Sequence, residues 1–141
     1  MAEFAVRPIE PGEIDAVAAL WAEAGLVRPW NDPLEDARRA LAGPASTILV
    51  GCVAGRLVAT VMVGADGHRA WVYYLAVATD QRRHGFGAAM MAAAEDWAVS
   101  RGMPKLQLMV RAENAGVAQF YETIGYELED RIIMSRRLDG E

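Results

Sequence analysis

The sequence predicts an α/β (α+β) fold in a single domain spanning residues 1–141, and three observations carry that expectation. Apolar β-rich runs alternate with segments of helical period through the middle of the chain. The strand-like run Leu75-Ala76-Val77 passes through the basic turn Arg82-Arg83-His84-Gly85-Phe86-Gly87-Ala88 into an Ala-rich helix. Hydrophobic residues make up 53% of the 141 residues and charged residues 23%, enough to bury a core and too apolar for disorder.

The elements follow in order. Phe4-Ala5-Val6-Arg7 alternates before Pro8 and reads as a first strand. Pro11-Gly12-Glu13 opens a helix with Ile14, Val17, Trp21 and Ala24 on its apolar face and Gly25 as its stop. Pro29-Trp30-Asn31-Asp32-Pro33 breaks the chain, and a second helix runs from Pro33 to about Leu41. Thr47 to Val53 and Leu57 to Val63 are strands joined through Ala54-Gly55-Arg56, a hairpin signal. Asp66-Gly67-His68 is a turn, and Ala70 to Val77 is the next strand. The helix after Gly85 carries Met90, Ala94 and Trp97 on one face and ends at Arg101-Gly102, with Pro104 beyond. Leu106 to Val110 is a short buried strand. Asn114 caps a helix bearing Val117, Phe120, Tyr121 and Ile124, which stops at Gly125. Two short strands, near Tyr126-Glu127-Leu128 and from Ile132 to Arg137, complete the chain. No internal repeat or linker interrupts it.

The turn at Arg82 to Ala88 has the chemistry of an anion site. The start of a helix presents unpaired backbone N–H groups and a partial positive charge, and glycines at 85 and 87 let a ligand approach those amides. A short glycine-spaced turn by itself is weak evidence, because such turns also punctuate structure. The net charge of −5 argues against general nucleic-acid binding, so Arg82, Arg83 and His84 form a local basic exception that suits a small anion better than a polymer. Cys52, the single cysteine, excludes an internal disulfide and reads as a small buried hydrophobe. His68 and His84 lack a metal-ligand spacing, and no metal is expected. Met1 to Pro11 lacks the apolar run of a signal peptide and no stretch reaches membrane-spanning length, so a cytoplasmic location without membrane contact is expected.

A second motif follows: Asn114-x-x-Val117-x-x-Phe120-Tyr121-Glu122-x-x-Gly125-Tyr126. With Arg82-x-x-Gly85-x-Gly87 ahead of it and one strand between, the chain closely resembles the GNAT superfamily of acetyl-CoA-dependent N-acetyltransferases. The likeness covers essentially the whole chain, including the order of elements. Pro29 to Pro33 and Asp66-Gly67-His68-Arg69 further resemble the bacterial YpeA-like subgroup. The resemblance implies a mixed, mostly antiparallel central sheet flanked by helices, with acetyl-CoA as cosubstrate. It also implies that the backbone of Leu75, Ala76 and Val77 pairs with the pantetheine arm. Main-chain amides of Arg82, Arg83, His84, Gly85, Phe86, Gly87 and Ala88 would hold the pyrophosphate, and Asn114 would lie beside the pantetheine. Tyr121 would direct its hydroxyl at the thioester sulfur, where a departing thiolate needs a proton or hydrogen bond. Taken from its helix alone, Tyr121 reads more readily as a core aromatic, and Asn114 as an N-cap.

Many family members carry a carboxylate base on the fourth strand or on the fifth. The corresponding residues here, Tyr73 or Tyr74 and Met109, are not acidic. Deprotonation of the amine then falls to water, to Asp66, His68 or Glu113, or to bulk solvent. The expected function is direct transfer of acetyl to a primary amine of a small molecule or peptide, with an amino-acid or peptide α-amine preferred. Trp30, Asn31, Asp32, Asp66 and His68 are the candidate acceptor contacts, although Asn and Asp beside Pro and Gly also simply make turns. A homodimer is left open. The competing expectation is a non-catalytic acyl-CoA sensor or interaction module, and a nucleotide phosphate site fails because no Lys-Ser or Lys-Thr follows the glycines.

Overall fold

The computed structural model of the chain describes residues 3–139. Its elements run β1 (Phe4–Pro8), α1 (Ile14–Glu23), α2 (Pro33–Ala42), β2 (Ser46–Val53), β3 (Arg56–Ala65), β4 (Ala70–Val77), α3 (Phe86–Ser100), β5 (Leu106–Leu108) and α4 (Ala115–Thr123). The strands form one sheet in the order β1-β2-β3-β4-β5, antiparallel except for the parallel pair β4 and β5. The mixed, mostly antiparallel sheet expected from the sequence is therefore present.

Local chemistry accounts for most boundaries. Asp32 Oδ1 accepts from the N–H groups of Leu34 and Glu35 at 3.0 and 3.4 Å, and Pro33 sits at the first position of α2, where a missing N–H costs nothing. Ala54 and Gly55 have φ of 51° and 80°, the left-handed pair that lets a two-residue turn match the twist of β2 and β3. Pro11 to Glu13 forms a 3-10 turn, so α1 starts at Ile14 and not at Pro11. Glu13 instead closes that turn by accepting from Glu10 N–H and from both Nη atoms of Arg7.

The sheet is covered on two faces. Val17, Leu20 and Trp21 of α1 and Ala37 and Ala40 of α2 bury Ile48, Val50, Val58 and Ala76. Alternate residues turn the other way, and there Met90, Met91, Ala94 and Ala98 of α3 are buried. Gly51 is needed in that layer, since a Cβ there would lie 2.6 Å from Phe4 Cε1 and 3.0 Å from Met90 Sδ. Trp97 is only partly buried, with the Arg101 guanidinium 4.7 Å above its ring. Cys52 is also half-buried rather than a core residue: it lies on the edge pair β1–β2, where Arg7 Nη2 donates to its sulfur at 3.7 Å.

The chain divides into two compact units, residues 1–109 and 110–141. The first contains the whole sheet and α1 to α3. The second contains α4 and an irregular segment. Neither expected final strand forms: among the described residues, 126–137 pair with no ladder. Leu128, Ile132 and Met134 are about nine-tenths exposed, at 90%, 88% and 88%. β-propensity expresses fit to a half-buried pleated surface, and without a neighbouring strand it has nothing to act on. Val110 likewise falls outside β5, which ends at Leu108.

Candidate active site

The candidate site begins where β4 parts from β5. Their ladder covers only Ala70–Val72 against Leu106–Leu108, so β4 has no β5 partner beyond Val72, and Ala76 and Val77 pair with β3 alone. Between Thr60 and Met62 the β3–β4 register slips by one residue, and opposite the slip Tyr74 adopts φ 54°. This is a bulge, and a non-glycine residue holds such a backbone only when its surroundings over-determine it. They do. Thr60 Oγ1 donates to Tyr74 O at 3.1 Å and accepts from Trp21 Nε1 at 2.9 Å. The Tyr74 ring stacks on Trp21 at 3.8 Å between centroids, and its hydroxyl donates to Asp36 Oδ2 at 2.6 Å. Burial and that bond raise the Tyr74 phenol above its ordinary pKa. Of the two tyrosines at the position of the missing base, Tyr74 is thus locked as a structural donor.

β4 leads into a 3-10 turn, Thr79–Gln81, fastened from two sides. Glu23 Oε2 at the end of α1 accepts from Thr79 N–H and Oγ1 at 2.8 and 3.0 Å, which lowers the Glu23 pKa. Arg56 forms a two-pronged pair with Asp80 at 2.9 and 3.0 Å. The turn then reverses through Arg83 (φ 67°) and Gly85 (φ 79°), both left-handed, before α3 starts at Phe86. Arg82 Nε folds back onto Val77 O at 3.3 Å. The first helical bond is Ala89 N–H to Gly85 O, so the N–H groups of Phe86, Gly87 and Ala88 precede the intrahelical ladder. No acidic residue stands in this first turn, and α3 runs 15 residues behind it. Phe86 stacks on Phe4 at 4.0 Å and lies 5.5 Å from the His84 ring.

In the second unit Asn114 occupies the N-cap position of α4, but its side chain makes no capping bond, contrary to the sequence expectation. Its backbone φ and ψ of −98° and 61° lie outside the extended geometry of a capping residue. Tyr121 is half-buried, edge-on to Phe120 and Tyr126 at 5.0 and 6.0 Å. Burial pushes its phenol up to about 12, so it is protonated throughout the neutral range.

Of the five acceptor candidates, three precede α2 and two lie in the turn between β3 and β4. Trp30 is exposed, Asn31 N–H donates to Arg28 O, and Asp32 is occupied as the cap of α2. His68 is exposed and its backbone N–H serves Asp66. Asp66 alone lines an open depression of about 360 Å³, together with Ser46, Gly64, Trp71 and Tyr73. Trp71 escaped the sequence reading, which named Tyr73 only at the position of the missing base, although their i, i+2 spacing places both on one face of a strand. Glu23, Arg56 and Asp80 left no local signal, because the residues they join are 24 and 56 positions apart. Among the described residues no group of His, Cys, Asp or Glu could hold a metal ion, and no helix is long and apolar enough to cross a membrane.

The acetyltransferase (GNAT) family matches residues 14–126. An acetyltransferase of Yersinia enterocolitica serotype O:8 is 41% identical over 133 residues, covering 94% of each chain. One of Sodalis glossinidius is 39% identical over 129 residues, covering 92% of this chain and 91% of its own. The fold is shared with the aminoglycoside N-acetyltransferase AAC(6')-Iy in complex with CoA, at a TM-score of 0.85 and 14% identity over 98% of this chain and 97% of that one. It is also shared with a transcriptional regulator from Bacillus halodurans, at a TM-score of 0.82 and 16% identity over 96% and 100%. The chain belongs to the GNAT acetyltransferase family. It is an acetyltransferase.

Proposed function

We propose that the protein transfers acetyl from acetyl-CoA directly to a primary amine of a small molecule or peptide. The observation that carries this reading is the run of β4 into the turn: a strand open on one side beyond Val72, continuous with three unladdered N–H groups at the start of α3. An extended pantetheine arm suits the open edge at Leu75 to Val77, and a pyrophosphate suits the amides of Arg82 to Ala88. The neutral amine nitrogen attacks the thioester carbonyl carbon, the C–S bond breaks with its electron pair on sulfur, the nitrogen releases its surplus proton to water, and Tyr121 gives the departing thiolate a hydrogen bond or a proton that it regains from solvent. Asn114, whose amide is not spent on capping, contacts the pantetheine. Cys52 takes no part, and Cys52→Ala retains activity.

Only a neutral amine attacks. An α-amine of pKa about 7.8 is about a quarter neutral near pH 7.4, whereas a lysine amine near 10.4 is about 0.1% neutral. Without a carboxylate at Tyr73, Tyr74 or Met109, a site of this kind gains from an acceptor that is already partly neutral, which favours α-amines. We place the reaction in the cytoplasm. Thiol release from acetyl-CoA across a panel of amines, amino acids and peptides tests the reading. Turnover of a peptide with a free N-terminus, exceeding that of its N-blocked lysine counterpart, is the expected result. Acetyl-CoA binding without turnover of any amine would instead support a sensor, the reading favoured by the missing carboxylate.

A further inference from the structure

Glu23 is the last residue of α1, and an acid there opposes the dipole of its own helix, whose C-terminal end is negative. Its contacts lie outside the helix. Oε2 accepts from both the N–H and the hydroxyl of Thr79, at 2.8 and 3.0 Å, across 56 positions of sequence. At the next residue Arg56, the first of β3, engages Asp80 in its two-pronged pair. Both carboxylates beside the turn thus have partners, and neither confronts an incoming anion as a bare charge.

The turn needs support from outside. On one side Ala78 N–H bonds Val58 O at 2.8 Å, and on the other α3 begins at Phe86, stacked on Phe4 at 4.0 Å. Between these fixed ends the chain passes two left-handed residues, Arg83 at φ 67° and Gly85 at φ 79°. A residue with a side chain, such as Arg83, holds that backbone at a steric cost and only where its surroundings impose it. Gln81 N–H to Ala78 O, at 2.9 Å, closes the 3-10 turn but does not reach the reversal that follows. The bonds from Glu23 fix the point from which that reversal starts.

We propose that Glu23 is a positioning residue for coenzyme A: by holding Thr79 from the end of α1, it sets the Arg82 to Ala88 reversal in its ligand-ready shape before the ligand arrives. The inference rests on the acetyl-CoA reading above and adds to it a residue that lies in neither sequence motif. Binding to a pre-formed turn avoids the cost of ordering it during association. Without the tie that cost falls on the binding step, while the complex, once formed, presents the same reacting atoms.

Titration calorimetry of CoA compares the wild type with Glu23→Ala, Glu23→Gln and Thr79→Val, each checked for folding by thermal melts. Alanine deletes both bonds, whereas glutamine keeps an oxygen that accepts from the Thr79 N–H and hydroxyl. Glu23→Ala is expected to raise the Kd about tenfold, and Thr79→Val and Glu23→Gln by at most about threefold each. With an amine that is turned over, KM for acetyl-CoA rises in parallel in Glu23→Ala and kcat stays within about twofold. Wild-type affinity in Glu23→Ala overturns the proposal, as does a glutamine variant as weak as the alanine one or a fall in kcat at unchanged KM. If Glu23→Ala does not fold, wild-type affinity in Thr79→Val overturns it instead. If no amine is turned over, the transfer reading fails by itself and the CoA titrations still decide. A wild type that does not bind CoA removes the proposal.

Discussion

Burial holds the Tyr121 phenol near 12, so it stays protonated well above neutrality, and in the proposed reaction it faces the departing thiolate as a hydrogen-bond donor. Tyr121→Phe removes only the hydroxyl, and kcat is expected to fall about 10²-fold with little change in thermal stability. A raised pKa also puts any alkaline limb owed to Tyr121 far above neutrality, so the wild-type kcat profile shows no fall from this group below pH 10. A variant as fast as the wild type would remove Tyr121 from the chemistry. Glu13 shifts in the opposite direction. Its bond to Arg7 and the Glu10 N–H lower it from 4.5 to about 2. A lowered folded pKa means that the stabilisation is complete above 4.5 and drains away as pH falls towards 2. Glu13→Gln is expected to lose about 1 kcal/mol at pH 7, since Arg7 is partly exposed, and to converge on the wild type in acid melts only as pH falls to about 2. A constant difference from pH 7 to pH 2 would contradict the assignment.

At the scale of elements, β4 and the turn after it depend on partners elsewhere. Thr60 and Trp21 are fully buried, and the threonine hydroxyl is the acceptor for the indole N–H. Thr60→Val keeps the shape but orphans that N–H and the Tyr74 carbonyl contact, at a cost of about 1–3 kcal/mol. Chemical denaturation checks the loss, and an unchanged midpoint would show that the bulge does not need the bond. Gly85 sits at φ 79° at the start of α3 with open space where a Cβ would go. Gly85→Val therefore costs about 1–2 kcal/mol through backbone strain and not through collision. It also places a branched side chain beside the N–H groups proposed to receive the pyrophosphate, and acetyl-CoA affinity is expected to drop about tenfold or more. Calorimetry giving the wild-type affinity would exclude the turn as the anion site.

For the molecule as a whole, stability is uneven. β2 and β3 are paired along their length with buried centres, and α3 buries four residues against the sheet. Residues 126–138 have no ladder among the described residues, and Leu128, Ile132, Ile133, Met134 and Leu138 are exposed. Amide hydrogen exchange is expected to be slowest at 48–50 and 58–63 and fastest at 126–138. Protection across 126–137 would show that the two final strands do form in solution.

The sequence by itself determined the order of elements, the hairpin at Ala54-Gly55, the reversal at Arg82 to Ala88 and the family motifs, because periodicity, turn residues and helix starts act over a few neighbouring positions. Those features were enough to read the family. The tertiary structure decided what distant residues do to one another. It locked Tyr74 onto Asp36 and Trp21, opened β4 beyond Val72, tied the 79–81 turn to Glu23 and Arg56, and left Asn114 uncapping. It drew Asp66 alone of five candidates into a depression with Trp71 and Tyr73. It also withheld the partner that would have made strands of 126–137. Each outcome turns on a contact across the sheet or between elements, and no local pattern of residues encodes which distant surface a side chain will meet.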